Sequence, residues 1–253
     1  MRDLNAEFQD TLERKYAYEF DHVLRGYMLR TFAPLLPKGR ALELGCYKGE
    51  FTALLADRYE DLTVVEGSAE LIEAAKARVA NRASFIHSRF ESVSPTGLFD
   101  AVFLIHTLEH LDDPVSVLRR IGSWLSPAGL LFVAVPNANA ASRQIAVRMG
   151  LISHNAAVTD AERLHGHRTT YALDTLQRDI RQSGLNIDAS GGVFFKPLAN
   201  YQFDALMGGE VVSDSYMEGC YLLGTQYPDL CASIYCVCSK QASGEGKRKR
   251  RDA

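Results

Sequence analysis

Ala41-Leu42-Glu43-Leu44-Gly45-Cys46-Tyr47-Lys48-Gly49-Glu50-Phe51 is a short apolar run that meets two glycines and leaves as a helical pattern. A run this short and continuous reads as a strand buried on both faces. Glycine at the turn permits positive φ and lets a ligand come close to the backbone. The helix that opens after Gly49 offers unpaired N–H groups and partial positive charge to an anion. About 20 residues further on, a second apolar run, Thr63-Val64-Val65, ends in Glu66, a carboxylate placed to accept hydrogen bonds from ribose hydroxyls. Strand, glycine turn, helix, strand and terminal acid together make a nucleoside-binding unit.

The same rhythm continues outward. Ala41–Leu44, Thr63–Val65, Ser84–Ile86, Ala101–Ile105 and Leu130–Val135 alternate with helix-like stretches at Gly49–Ala56, Ala69–Val79 and Pro114–Trp124. Alternation of that kind is the signature of a parallel sheet. Val193–Phe195 and Ile234–Val237 supply two last strands. The expected fold is α/β and Rossmann-like: an open, mostly parallel, seven-stranded sheet with helices on both faces.

Before this unit, Leu4, Phe8, Leu12, Tyr16, Phe20, Leu24 and Met28 recur every four positions, one face of a helix or of two consecutive helices. That pattern ends near Pro34 and Pro37, where a helix is costly to continue. Residues 1–37 are therefore expected to form an N-terminal helical cap on a domain spanning 38–240. After Pro136 the pattern loosens; residues 137–172 read as a lid insertion, with Ala140–Met149 able to be helical. Leu173–Ser183 is a further helix stopped by Gly184. From residue 241 apolar anchors are missing, and a disordered basic tail is expected over 241–253.

Among the 253 residues, 47% are apolar and 23% charged, which excludes a disordered or a fibrous chain. The net charge of −3 is uneven: residues 239–253 carry +4 and the other 238 carry −7, so the body is no general polyanion binder. No apolar run nears the roughly 20 residues that cross a bilayer, and the start has no signal-peptide core. Membrane association is therefore not expected. Five cysteines suggest no disulfide framework, and a reducing, cytoplasmic setting is the simplest expectation. Cys231, Cys236 and Cys238 fit no familiar zinc spacing and read as buried thiols of an apolar strand. Nucleic acid is an unlikely partner, because the only basic cluster is terminal.

Two nucleoside classes compete for the glycine turn. A dinucleotide site wants G-x-G-x-x-G to make room for a pyrophosphate, the pattern of an NAD(P)-dependent oxidoreductase. Here the spacing is G-x-x-x-G, with Tyr47 and Lys48 between the glycines. Glu43, two residues before the first glycine, is a poor neighbour for a diphosphate and suits a ligand with positive charge, such as an amino group and a sulfonium.

At these residues the chain resembles the class I S-adenosylmethionine-dependent methyltransferases, in particular the broad group acting on small molecules and sugars. The resemblance is carried by Glu43–Gly49, by Val64-Val65-Glu66-Gly67, and by Phe99–Val102 with Leu108-Glu109-His110-Leu111-Asp112-Asp113-Pro114. Leu125–Leu130 and His167–Tyr171, with Leu176, Gly184 and Leu185, extend it, so that it covers residues 40 to about 188. The family pattern usually has a third glycine where Tyr47 stands. The resemblance implies S-adenosylmethionine as cofactor and methyl transfer to an oxygen or nitrogen of a small-molecule acceptor. A non-catalytic, cofactor-binding member of the same fold is the alternative within the family.

Position by position, the resemblance places Glu43, Gly45, Cys46 and Gly49 around the methionine portion of the cofactor. Glu66 would hold the ribose, and Gly67 would leave room for the adenine. Arg89 and Phe90, after the third strand, would flank the base, one of them stacking on it. His106, at the end of the fourth strand, would face the sulfonium and the acceptor. If the acceptor is a hydroxyl a base is needed, and His106 or His167 is the candidate, with His110 a third possibility. His106 and His110 are four apart and would point the same way on a helical turn. No third metal ligand is evident beside them, so no metal is expected. Against these readings stand plain ones: Phe90 as a core aromatic, and His167 packed at a helix start. Asn137, just past the fifth strand, also lies at the sheet edge where ligands collect.

Overall fold

The computed structural model describes residues 18–241, so the expectations for residues 1–17 and for the basic tail beyond 241 lie outside the described residues. Seven strands form one sheet: β1 (Arg40–Leu44), β2 (Asp61–Glu66), β3 (Ser84–His87), β4 (Phe99–Ile105), β5 (Leu125–Pro136), β6 (Leu185–Phe195) and β7 (Cys231–Lys240). Their order is β3-β2-β1-β4-β5-β7-β6. The first five run parallel, and β7 lies antiparallel between β5 and β6. The open α/β sheet expected from the apolar rhythm is thus present.

Around it lie α1 (Glu19–Phe32), α2 (Glu50–Ala56), α3 (Ala69–Val79), α4 (Pro114–Trp124), α5 (Ala141–Arg148), α6 (Asp160–Leu164), α7 (Leu173–Gln182), α8 (Asn200–Leu206) and α9 (Asp214–Gly224). Local chemistry sets several of their starts. Ser68 Oγ accepts from Leu71 N at the head of α3. Asp113 Oδ1 accepts from Ser116 N at the head of α4, whose first residue is Pro114. Thr159 and Glu162 close a reciprocal capping box on α6. Pro34 does not end the chain's helical path outright: Ala33–Leu35 adds one 3-10 turn, in which a proline near the start loses no required N–H.

Strand alternation sends side chains to two cores. Leu42, Leu44, Val102 and Leu104 face one side, with Trp124, Leu176 and Ile180 of α4 and α7. Ala41, Ala101, Phe103 and Phe132 face the other, with Phe51, Leu55 and the apolar side of α1. β3 departs from the both-faces expectation, because it is the sheet edge and none of its four residues is fully buried. Between β6 and β7 the chain folds α8 and α9, two helices that no periodicity announced. Phe203 of α8 stacks on Phe20 of α1 at 4.3 Å, and Asp204 accepts from the N–H groups of Glu19 and Phe20. α1 is therefore capped from α8, 184 residues away in sequence.

The five cysteines are all free and buried, as the strand reading of Cys231, Cys236 and Cys238 anticipated. Among the described residues no helix is long and apolar enough to cross a membrane.

The glycine turn is held by sterics. Gly49 begins α2 at φ +83°, and a Cβ there would lie 2.8 Å from the Ala75 Cα of α3. Backbone at that distance does not yield. Gly49→Ala is expected to cost about 2 kcal/mol or more of stability, read from the denaturant midpoint at unchanged slope. An unshifted midpoint would mean that the α2–α3 contact is looser than the distance says.

Candidate active site

The carboxyl ends of the parallel strands open into a cavity of about 720 Å³, within the size range of small-molecule sites. Glu43, Gly45, Cys46, Glu66, Gly67, Arg89, Phe90, His106, His110 and His167 line it. Gly49 does not line it, because its Cα is turned against α3. The wall gathers residues from widely separated segments. Tyr18, Asp21 and Arg25 come from the start of α1, Arg143 and Glu162 from the segment between β5 and α7, and Lys196 and Asn200 from the segment after β6.

Glu66 ends β2 with 8% of its surface exposed. One carboxylate oxygen accepts from Gly67 N (2.7 Å) and Ser68 N (3.0 Å), the other from Cys46 N (3.1 Å). The acid thereby ties the glycine turn to the end of the neighbouring strand. Burial pushes its carboxyl up, against the downward pull of the backbone N–H groups.

Glu43 shares the Ala41 side of β1 and is 1% exposed. Its Oε2 accepts from Thr52 Oγ of α2 at 2.6 Å. Burial pushes the carboxyl up to about 8, Thr52 opposing. The group is thus mostly protonated at neutral pH, and a cation brought into the cavity would ionise it.

Tyr47 takes φ +48°, so the turn has left-handed backbone where the family pattern has its third glycine. Tyrosine accepts this at some strain. Gly45, at φ +81°, lies beside Thr107, whose Oγ would sit 2.6 Å from a Cβ on the glycine. Thr107 Oγ donates to Leu44 O and Ile105 O, which fixes the end of β4 against the glycine turn.

His106 and His110 do not share a helical turn. His106 sits in left-handed backbone at φ +49°, and Leu108–His110 is a 3-10 turn. The two rings consequently have different partners. His106 Nε2 is 2.8 Å from Ser233 Oγ of β7, and burial pushes its pKa well down. His110 packs edge-on against His167, ring centres 4.6 Å apart. His167 follows α6 and does not start a helix; its N–H donates to Glu162 O. Burial lowers its pKa to about 4, so the imidazole is neutral at pH 7 with a lone pair to offer.

The placement of His167 is fixed by backbone. Arg168 N and Thr169 N both donate to the carbonyl of Glu109, at 2.8 and 3.3 Å. Glu109, 2% exposed, lies beside these rings and lines the cavity. No role was read for it in the sequence, although an acid between apolar residues and next to a histidine is itself a signal. No role was read in the sequence for Lys196 either, a lone cation just past an apolar strand. Burial lowers its ammonium to about 8, and Asp21 opposes this. Asn137 lies at the cavity wall with its amide committed to Asp229 O and Cys231 O, so it braces the loop before β7.

The described residues fit S-adenosylmethionine on their own geometry: an acid ends β2 beside a glycine turn, and a buried carboxyl held by Thr52 lines the cavity.

Comparison with known proteins bears on the same reading. A family model described as a methyltransferase domain matches residues 16–190. The chain is 26% identical over 170 residues to the ubiquinone biosynthesis O-methyltransferase of Xanthomonas campestris pv. campestris (strain B100), covering 65% of this chain and 70% of that protein. The enzyme of the same description from Xanthomonas axonopodis pv. citri (strain 306) is 27% identical over 174 residues, covering 66% and 72%. Among solved structures, the N-methyltransferase NodS from Bradyrhizobium japonicum WM9 with S-adenosyl-L-homocysteine matches at a TM-score of 0.59 and 16% identity, over 94% of this chain and 100% of that one. A possible histamine N-methyltransferase from Thermotoga maritima matches at 0.61 and 19%, over 92% and 96%. At such identities the solved structures speak for the fold.

Proposed function

Because the chain belongs to the methyltransferase-domain family and is an S-adenosylmethionine-dependent methyltransferase, we propose that its acceptor is a hydroxyl of a small molecule, bound in the 720 Å³ cavity beside the glycine turn. The observation that carries this is the cluster of Glu109, His110 and His167 on the wall of the cavity that Gly45 and Glu66 also line. A neutral amine already has its attacking lone pair, but a hydroxyl must shed a proton, and it needs such a cluster. The O-methyltransferase relatives support the same choice.

The bound cofactor supplies a methyl group on a positively charged sulfur. The chain's own work is alignment and exclusion of water. Glu66 grips the sugar, Cys46 and Gly45 hold the amino-acid end against β1, and Glu43 supplies negative charge once a cation has ionised it. Gly67 leaves space for the base, with Arg89 and Phe90 on its flank. His106, buried and held by Ser233, forms the wall between the cofactor and acceptor regions. Lys196, largely charged at pH 7, suits an acceptor that carries an acidic group.

The test is a panel of hydroxyl and amine acceptors with methyl-labelled cofactor and purified full-length chain. Label is expected on hydroxyls, with acidic ones showing the lower KM. Label on amines alone would overturn the assignment.

A further inference from the structure

We propose that Glu109, His110 and His167 form a binding site for a divalent first-row transition cation, which holds and acidifies the acceptor hydroxyl. The catalytic part of this rests on the hydroxyl reading above; the metal site itself does not.

The three side chains each offer one ligand atom, and these atoms all lie within 4.8 Å of one another. Glu109 Oε1 and His110 Nε2 are 4.0 Å apart, beyond hydrogen-bond reach. A cation bound at about 2.0–2.2 Å from each donor wants them roughly 3–3.5 Å apart, so small side-chain rotations close the site.

The second observation is Glu109 itself. It is 2% exposed, and its Oε2 has no hydrogen-bond partner. Among the described residues, His110 is the only basic group within ion-pairing distance of it. An acid buried in that state is costly to ionise, and in native proteins buried charges are paired or ligate metals. A divalent cation would remove the cost and would accept the lone pairs of both imidazoles.

Preorganisation supports the same reading. The carbonyl of Glu109 accepts two N–H groups from the segment that carries His167, so two distant pieces of chain are fastened at the point where a cation would bridge them. Two imidazoles and one carboxylate favour zinc, cobalt, iron or manganese over magnesium or calcium, which prefer all-oxygen sites. Three protein ligands leave positions open, the mark of a catalytic site.

A hydroxyl ligated at an open position loses its proton more readily, as zinc-bound water does. The balance is simple. The proton leaves to solvent, an oxygen lone pair forms the new C–O bond, and the electrons of the S–C bond remain on sulfur. Where the cation takes five or six ligands more than one position is open, and an acceptor with a second oxygen next to its hydroxyl would then bind best.

The experiment uses the full chain, stripped by chelator and dialysed. Cobalt chloride is titrated against visible absorption, and zinc chloride then displaces it in calorimetry. One equivalent of cobalt with visible bands is expected. Glu109→Gln, His110→Ala and His167→Ala should each weaken cobalt binding by at least about 10- to 100-fold. Retained S-adenosylhomocysteine binding reports that each variant is folded. If the unmodified chain binds S-adenosylhomocysteine but gives no cobalt bands, or the bands survive in all three variants, the site is overturned and methyl transfer stands. Cobalt binding lost in the variants, in a chain that methylates no hydroxyl with cobalt or zinc present, supports the site and overturns the acceptor reading instead.

Discussion

Glu66→Ala is expected to lower affinity for S-adenosylhomocysteine by at least about 100-fold, measured by calorimetry at pH 7. Hydrogen bonds to a charged group contribute about 1.5–3 kcal/mol each, and a ribose diol donates two, so even a discounted sum exceeds two decades in Kd. A second loss adds to it, because the same carboxylate ties Cys46 N to Gly67 N and Ser68 N. Without it the turn is left to the Gly45 N–H donating to Val65 O as its tie to the end of β2. Glu66→Gln separates the two effects: it keeps one acceptor oxygen and the shape, and should fall between the unmodified chain and the alanine variant. A folded Glu66→Ala protein with undiminished affinity would put the sugar elsewhere.

Glu43→Gln should move stability and binding in opposite directions. In the folded chain burial raises this carboxyl to about 8, whereas in the unfolded chain it titrates near its ordinary value of 4.5. Between those two values the folded state holds more protons than the unfolded one, so this group makes stability fall as pH rises. Glutamine removes that slope and can still accept from Thr52. Its advantage should therefore be absent below about pH 4.5, grow through the window and level off above about pH 8, reaching on the order of a few kcal/mol. Binding should suffer, because the negative charge that a cationic ligand calls up is gone. With Glu43 present, S-adenosylmethionine binding at pH 7 should release a proton, seen as a dependence of the heat on buffer ionisation enthalpy. A variant without the pH-dependent gain would mean that Glu43 is not the buried acid the structure draws.

The parallel half of the fold was open to reading because each of its signals is local. A buried strand has a continuous apolar run, and α3 and α4 fall on the ranges their periodicity marked, with Ser68 and Asp113 at their heads. Glu66 was legible for the same reason, since its place follows from counting along one βαβ unit. α8 and α9 were not, because their short apolar faces are defined by contact with α1 and β6 and not by a repeat of their own. The histidines show the boundary most clearly. Spacing paired His106 with His110, but left-handed backbone at His106 sent that ring to Ser233, and a carbonyl at Glu109 brought His167 across from beyond α6. A single positive φ and two long-range hydrogen bonds decided the grouping, and neither has a signature in residue type.

The position of β7 bears on how the molecule comes into being. Synthesis delivers residues from the amino end, yet the slot between β5 and β6 is filled by residues 231–240. Until those residues leave the ribosome, β5 and β6 have no strand between them and both present bare hydrogen-bonding edges, an invitation to aggregation. Completion of the sheet must therefore wait until residues 231–240 have emerged, and a message cut short before Cys231 would yield a product with an unzipped middle rather than a frayed end.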